Sequence, residues 1–129
     1  MSIKLSAAAV AVALALSMPA FAGAPSTAAF DPDKDGTIDL AEAQAAGAKL
    51  FATLDPDKDG TLDAKELEGR IDATGLKAAD PDSDGTLDAK EFATVIEARF
   101  KAANPDNDGT IDDKELGSKE GAALLQLMQ

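Results

Sequence analysis

One thirteen-residue phrase constrains this chain more than anything else in it. FDPDKDGTIDLAE at residues 30–42 returns as LDPDKDGTLDAKE at 54–66, ADPDSDGTLDAKE at 79–91 and ANPDNDGTIDDKE at 103–115. The acidic core of each copy begins at 31, 55, 80 and 104, so only 12 or 13 residues separate one copy from the next. Four copies of one unit joined by connectors this short leave few ways to fold.

Each copy fits D-x-D-x-D-G-x5-E, the spacing of an EF-hand loop, in which positions 1, 3, 5 and 12 offer side-chain oxygens and position 7 a backbone carbonyl. In the first loop these are Asp31, Asp33, Asp35, Thr37 and Glu42, turning at Gly36. The second loop has Asp55, Asp57, Asp59, Thr61 and Glu66 around Gly60, and the third Asp80, Asp82, Asp84, Thr86 and Glu91 around Gly85. The fourth begins with a neutral residue, Asn104, followed by Asp106, Asp108, Thr110 and Glu115 around Gly109. Oxygen ligands of this kind suit a hard cation. An acidic linker would not keep an apolar residue at position 8 of every copy, yet Ile38, Leu62, Leu87 and Ile111 stand there, where paired EF-hand loops make their short β contact. Position 9 is always aspartate: Asp39, Asp63, Asp88 and Asp112. With glutamate three residues on, it reads as the N-cap of a capping box, and also as a further metal ligand, direct or through water. Proline at position 2 (Pro32, Pro56, Pro81, Pro105) restrains the first ligand residue, either to place it or only to stiffen the loop.

The connectors dictate the topology. Ala43 to Leu54 makes a helix of roughly 18 Å at 1.5 Å per residue, which serves as exiting helix for loop one and entering helix for loop two. Those two loops then lie at opposite ends of one helix and cannot pair, and the same holds for loops three and four across Phe92 to Ala103. The middle connector, Leu67 to Ala79, carries Gly69 and Asp72-Ala-Thr-Gly75, which can stop one short helix and start another. Doubling back there pairs loop two with three and loop one with four. Gly23 to Phe30 are too few for a full entering helix, whereas Ser118 can cap a last helix to about Met128. The expectation is an all-α, compact EF-hand bundle of about three main helices with metal loops at both ends.

Residues 1–22 read differently. Lys4, an apolar run from Leu5 to Leu16, and Ala20-Phe21-Ala22 fit a secretory signal peptide cut before Gly23, in a run short of the roughly 20 residues that span a bilayer. This predicts export to the periplasm, with residues 23–129 as one four-EF-hand domain. That segment has 24 Asp and Glu against 11 Lys and Arg, a net charge of −13, and 20 of the acids lie within the four phrases. Such a surface repels nucleic acid and anionic lipid and attracts cations. The chain has no Cys and no His, which removes thiolate and imidazole chemistry, and with its carboxylates committed to loops an enzyme is not expected.

The four loops, proline at position 2, aspartate at position 9, Asn104 opening the fourth loop and the compressed spacing together resemble the lanmodulin family, periplasmic EF-hand proteins of methylotrophic bacteria. The resemblance covers nearly all of residues 23–129. It implies selective, high-affinity binding of trivalent lanthanide ions, with loops paired one–four and two–three. Beside it stand an exported calcium protein, buffering or structural, and a metal-switched interaction module with an unidentified periplasmic partner; the latter is weakened by the scarcity of methionine, since Met128 is the only one after residue 22.

Overall fold

Three of the four loops hand over to helix in the same way. Asp39, Asp88 and Asp112 each stand in extended backbone and accept the N–H three residues on, while the glutamate there accepts the aspartate's own N–H. These reciprocal capping boxes satisfy two of the donors that a helix start leaves open. They open α1 (Leu40–Leu54), α3 (Ala89–Ala103) and the short α4 (Asp113–Leu116). Between them lies α2 (Ala73–Ala79), and Ser118 caps α5 (Lys119–Met128) through the Gly121 N–H. The computed structural model describes residues 26–129; the expected signal peptide over 1–22 lies outside the described residues. Among the described residues ahead of loop one there is a single 3-10 turn, Thr27–Ala29.

Four two-residue strands complete the element list: β1 (Ile38–Asp39), β2 (Thr61–Leu62), β3 (Leu87–Asp88) and β4 (Thr110–Ile111). β1 pairs antiparallel with β4, Ile38 facing Ile111, and β2 with β3, Leu62 facing Leu87. All four position-8 side chains are fully buried. The one–four and two–three pairing expected from connector length is therefore the observed one, and the fold is an all-α EF-hand bundle whose main helices are α1, α3 and α5.

The middle connector departs from expectation. Loop two does not exit into an α-helix: residues 64–70 form consecutive turns, with Leu67 N–H bonded to Asp63 O and Ile71 N–H to Leu67 O. Gly69, near their end, lies in the left-handed region at φ +79°, which any side chain would strain. The reversal thus occurs at Gly69. Asp72 then starts the next helix, as the sequence suggested, capping α2 by accepting the Gly75 N–H at 2.7 Å.

A shift of 49 residues carries loop one onto loop three, α1 onto α3 and loop two onto loop four. The same exchange carries β1 to β3 and β4 to β2, so the two sheets swap and the pairing is preserved. The halves are related by a pseudo-two-fold. At its centre, α1 and α3 meet through equivalent positions of unequal size: a Cβ on Gly47 would lie 1.9 Å from Ile96 Cδ1. Two isoleucines would collide there and two glycines would leave a void, so one of each fills the crossing. Beside it Phe51 and Phe92 stack at 5.8 Å between centroids, tilted by 57°. α5 breaks the symmetry by packing on α3 and α1. Arg99 ties it to α3 by donating to Ala123 O at 2.7 Å, and Arg70 grips the Gln129 carbonyl.

Candidate metal centres

The backbone of each loop is set by two left-handed residues. Position 6 is glycine throughout, at φ +84 to +91°. Position 4 also lies there, at φ 56 to 61°, although it holds Lys34, Lys58, Ser83 and Asn107. The consensus spacing leaves position 4 free, so this constraint was not legible from the motif; only asparagine among the four tolerates it readily.

That backbone aims successive N–H groups inward. In loop one, Asp31 accepts Asp35 N–H on Oδ1 at 3.2 Å and Gly36 N–H on Oδ2 at 2.8 Å. Asp55 and Asp80 repeat both bonds in loops two and three. These three aspartates are buried, at 7 to 8% exposure, unlike the rest of their loops' acids. Position 3 accepts the position-5 N–H at 3.2 to 3.3 Å in all four loops. Position 5 accepts from position 7, and position 12 accepts from position 9 on one oxygen only.

Counting oxygens shows what remains for a cation. Asp31, Asp33 and Glu42 each offer an oxygen, the three lying within 4.8 Å of one another, and so do Asp55, Asp57 and Glu66, and Asp80, Asp82 and Glu91. The structure thus brings together positions 1, 3 and 12 of loops one to three. Asp35, Asp59 and Asp84 at position 5 and Asp39, Asp63 and Asp88 at position 9 stand outside these triads, and loop four, with Asn104 first, supplies none. Thr37, Thr61, Thr86 and Thr110 are half-buried beside them. Glu42 Oε1 is buried with no hydrogen-bond partner, as is Asn104 Oδ1. An orphaned buried acceptor is costly unless something positive meets it. The Glu42 oxygen, converging with the carboxylates of Asp31 and Asp33, fits a hard cation held in loop one.

Crowded carboxylates shift one another's protons. Burial pushes Asp31 up, but the hydrogen bonds from Gly36 and its neighbours outweigh it and hold the carboxyl below its ordinary value; Asp55 behaves alike. In Asp80 the Gly85 N–H is the largest influence, with the same outcome. Their position-3 neighbours Asp33, Asp57 and Asp82 move up, chiefly because each shares a hydrogen bond with the position-1 carboxyl. The Asp39 N–H pulls Glu42 down, yet burial and the nearby Asp33, Asp39 and Asp31 prevail and raise it. Burial raises Glu115, helped by Asp106, Asp112 and Asp108. Each position-1 and position-3 pair is therefore poised to share a proton that a cation would displace.

Position 9 resolves into a definite local role. Asp39, Asp63, Asp88 and Asp112 each use Oδ1 to cap the segment that follows, which leaves the second oxygen for a metal or a bridging water. The threonine hydroxyls were missed from the sequence, where position 7 counts only for its carbonyl. A further unforeseen contact joins loop one to the far end of the chain: Thr27 N–H donates to Asp113 Oδ1 at 2.8 Å.

Residues 48–69 and 71–96 match a family model described as EF hand. The first span contains loop two and the second loop three. No curated protein matches the chain. For loops two and three, geometry and match agree on EF-hand metal-binding loops.

Proposed function

We propose that this chain is an exported protein that binds trivalent lanthanide ions selectively, folds as it does so, and acts in lanthanide uptake or trafficking. One observation carries the reading: in each of loops one to three, three carboxylates converge within 4.8 Å while two more stand at positions 5 and 9 of the same loop. Calcium and the larger lanthanide ions are similar in size, so charge must separate them. Attraction to a fixed carboxylate set grows in proportion to ion charge, whereas dehydration of a Born-type ion grows with its square. A trivalent ion prevails only where anionic oxygens are dense enough to replace its water. Five per loop favours it, and the resemblance in loop sequence and spacing favours it further.

Coupling to folding follows from the same density. Carboxylates this crowded repel one another without a cation, and residues 23–129 contain only 20 Leu, Ile, Val and Phe among 107. That lies just under the roughly 20% below which highly charged chains resist folding. Export rests on the leader-like residues 1–22, and 20 of the 24 carboxylates are committed to loops, which disfavours an enzyme.

A metal-buffered titration followed by far-ultraviolet circular dichroism tests the reading. Lanthanum or neodymium is expected to drive helix formation at far lower free concentration than calcium, and full helicity in chelator would remove the folding claim. Replacing Asp39, Asp63 and Asp88 with Asn is expected to narrow the gap between the metals more than it weakens calcium. Equal midpoints for the two metals return the chain to the calcium-binding EF-hand proteins, as a buffer, structural element or switched module.

A further inference from the structure

Position 7 holds threonine in all four loops, and in all four its side chain does the same thing. Thr37, Thr61, Thr86 and Thr110 donate their hydroxyls to Oδ1 of Asp35, Asp59, Asp84 and Asp108, at 2.7, 2.8, 2.8 and 3.0 Å. The backbone N–H of the same threonine donates to the same oxygen, at 2.8 Å each time. A carboxylate oxygen has two lone-pair directions, so two donors fill Oδ1. The position-5 carboxylate keeps only Oδ2 for a cation. Positions 1 and 12 differ: Asp31 receives one donor on each oxygen, and Glu42 keeps Oε1 unpartnered.

We infer that the position-7 hydroxyl is a specificity-determining group that compels the position-5 aspartate to bind through one oxygen and so limits the ligand number of the loop. This rests on the trivalent-ion reading above and adds size selection to it. Ligand number and the freedom to change it set which ion radius a loop favours. With the hydroxyl gone, the N–H alone leaves a lone pair on Oδ1, and the carboxylate is free to swing to two-oxygen binding. A larger ion accommodates the extra oxygen and a smaller one does not, so loss of the hydroxyl favours the larger ion.

The native chain is compared with Thr86→Val, which keeps shape and β-branching at this half-buried site but removes the donor, and Thr86→Ser, which keeps the donor. Lanthanum and lutetium compete as probes, one large and one small, both trivalent and diamagnetic. Occupancy of loop three is read from the Gly85 amide by NMR, with Gly36 and Gly60 reporting loops one and two of the same molecules. Thr86→Val is expected to move the loop-three lanthanum-to-lutetium affinity ratio at least threefold toward lanthanum, with Thr86→Ser within twofold of native and loops one and two unmoved. Equal weakening of both ions, a shift toward lutetium, no shift, or loss of metal from loop three alone would each overturn the inference. A native chain that takes up neither ion would instead overturn the trivalent-ion reading itself, so the two failures are distinct.

Discussion

Loop one and loop four are paired through β1 and β4, share one end of the bundle, and differ at one decisive residue. Asp31 accepts two backbone N–H groups, from Asp35 and Gly36; Asn104 in the same place accepts neither, and its Oδ1 is buried without a partner. The remaining loop-four bonds are kept, including Asp106 to Asp108 N–H and Asp108 to Thr110. The position-1 charge is therefore not needed to shape the loop. It gathers the two inward N–H groups and completes the carboxylate triad, and loop four has the frame of a metal site without its strongest anchor.

Making loop one resemble loop four should have the largest effect. Asp31→Asn removes one anionic ligand and weakens two charge-assisted bonds, each worth about 1.5–3 kcal/mol. Loop-one affinity is expected to fall on the order of a hundredfold, with Gly36 overtaken by the Gly60 and Gly85 amides in an NMR metal titration. If Gly36 still shifts with the earliest equivalents, the charge at position 1 does not rank the loops.

The reverse change is expected to do less. Asn104→Asp restores the charge, but in the metal-free chain the new carboxylate is repelled by its neighbours. A gain of about tenfold in loop-four affinity, roughly 1.4 kcal/mol, is expected, with Gly109 no longer the last amide to respond. A Gly109 that responds first in the native chain would refute the ranking of the loops.

How much of this was readable beforehand follows from where the constraints reside. Loop identity, the capping role of position 9 and the loop pairing were legible because each is local or geometric: a motif of fixed spacing, a D-x-x-E pair, a connector too short to do anything else. In the middle connector the stop near Gly69 and the start at Asp72 were legible, whereas the collapse of loop two's exiting helix into turns was not. Gly69 broke the chain, while Gly75 was absorbed into α2 once Asp72 captured its N–H. The left-handed residues at position 4, the threonine hydroxyls and the Thr27–Asp113 bond were invisible because they depend on where side chains arrive after folding.

Acid should separate the two loops by a different route. The raised pKa values of Asp33, Asp57 and Asp82 come chiefly from their position-1 partners, a partner that loop four lacks. A raised group stabilises the fold fully below its ordinary value, near 3.8 for aspartate, and loses that contribution as pH rises through the raised value. The lowered Asp31, Asp55 and Asp80 work in the opposite sense, contributing above the ordinary value and losing it only as pH falls through their lowered values. Bringing the metal-free chain from pH 7 to roughly 4 is thus expected to increase its helicity while weakening metal binding, as protons take the cation's place. Circular dichroism in chelator at the two pH values checks the first half, and a monotonic loss of helix on acidification would contradict it.

No larger an effect per loop is expected at the bond that ties this loop pair together and has no counterpart at the other end. Thr27 begins the 3-10 turn ahead of loop one, where the first N–H has no partner within its own turn. It is buried, at 3% exposure, and finds Asp113 Oδ1 at the start of the helix that follows loop four, while its hydroxyl reaches Gly36 O at 3.3 Å. A 49-residue shift replaces this pair with Leu76 and Ala64, so loops two and three have no such bond between them. Asp113→Ala leaves the Thr27 N–H buried and unpaired, at a cost of about 1–3 kcal/mol, whereas Asp113→Asn keeps an acceptor in place. If the contact joins the two loops, Asp113→Ala lowers the metal affinity of loops one and four together, by about tenfold, and spares two and three. Asp113→Asn then recovers most of the loss despite its missing charge. Uniform weakening of all four amide reporters would reduce the bond to general stability, and weakening of loop four alone would show that it acts as a local charge beside Glu115 and not as a link between the ends of the chain.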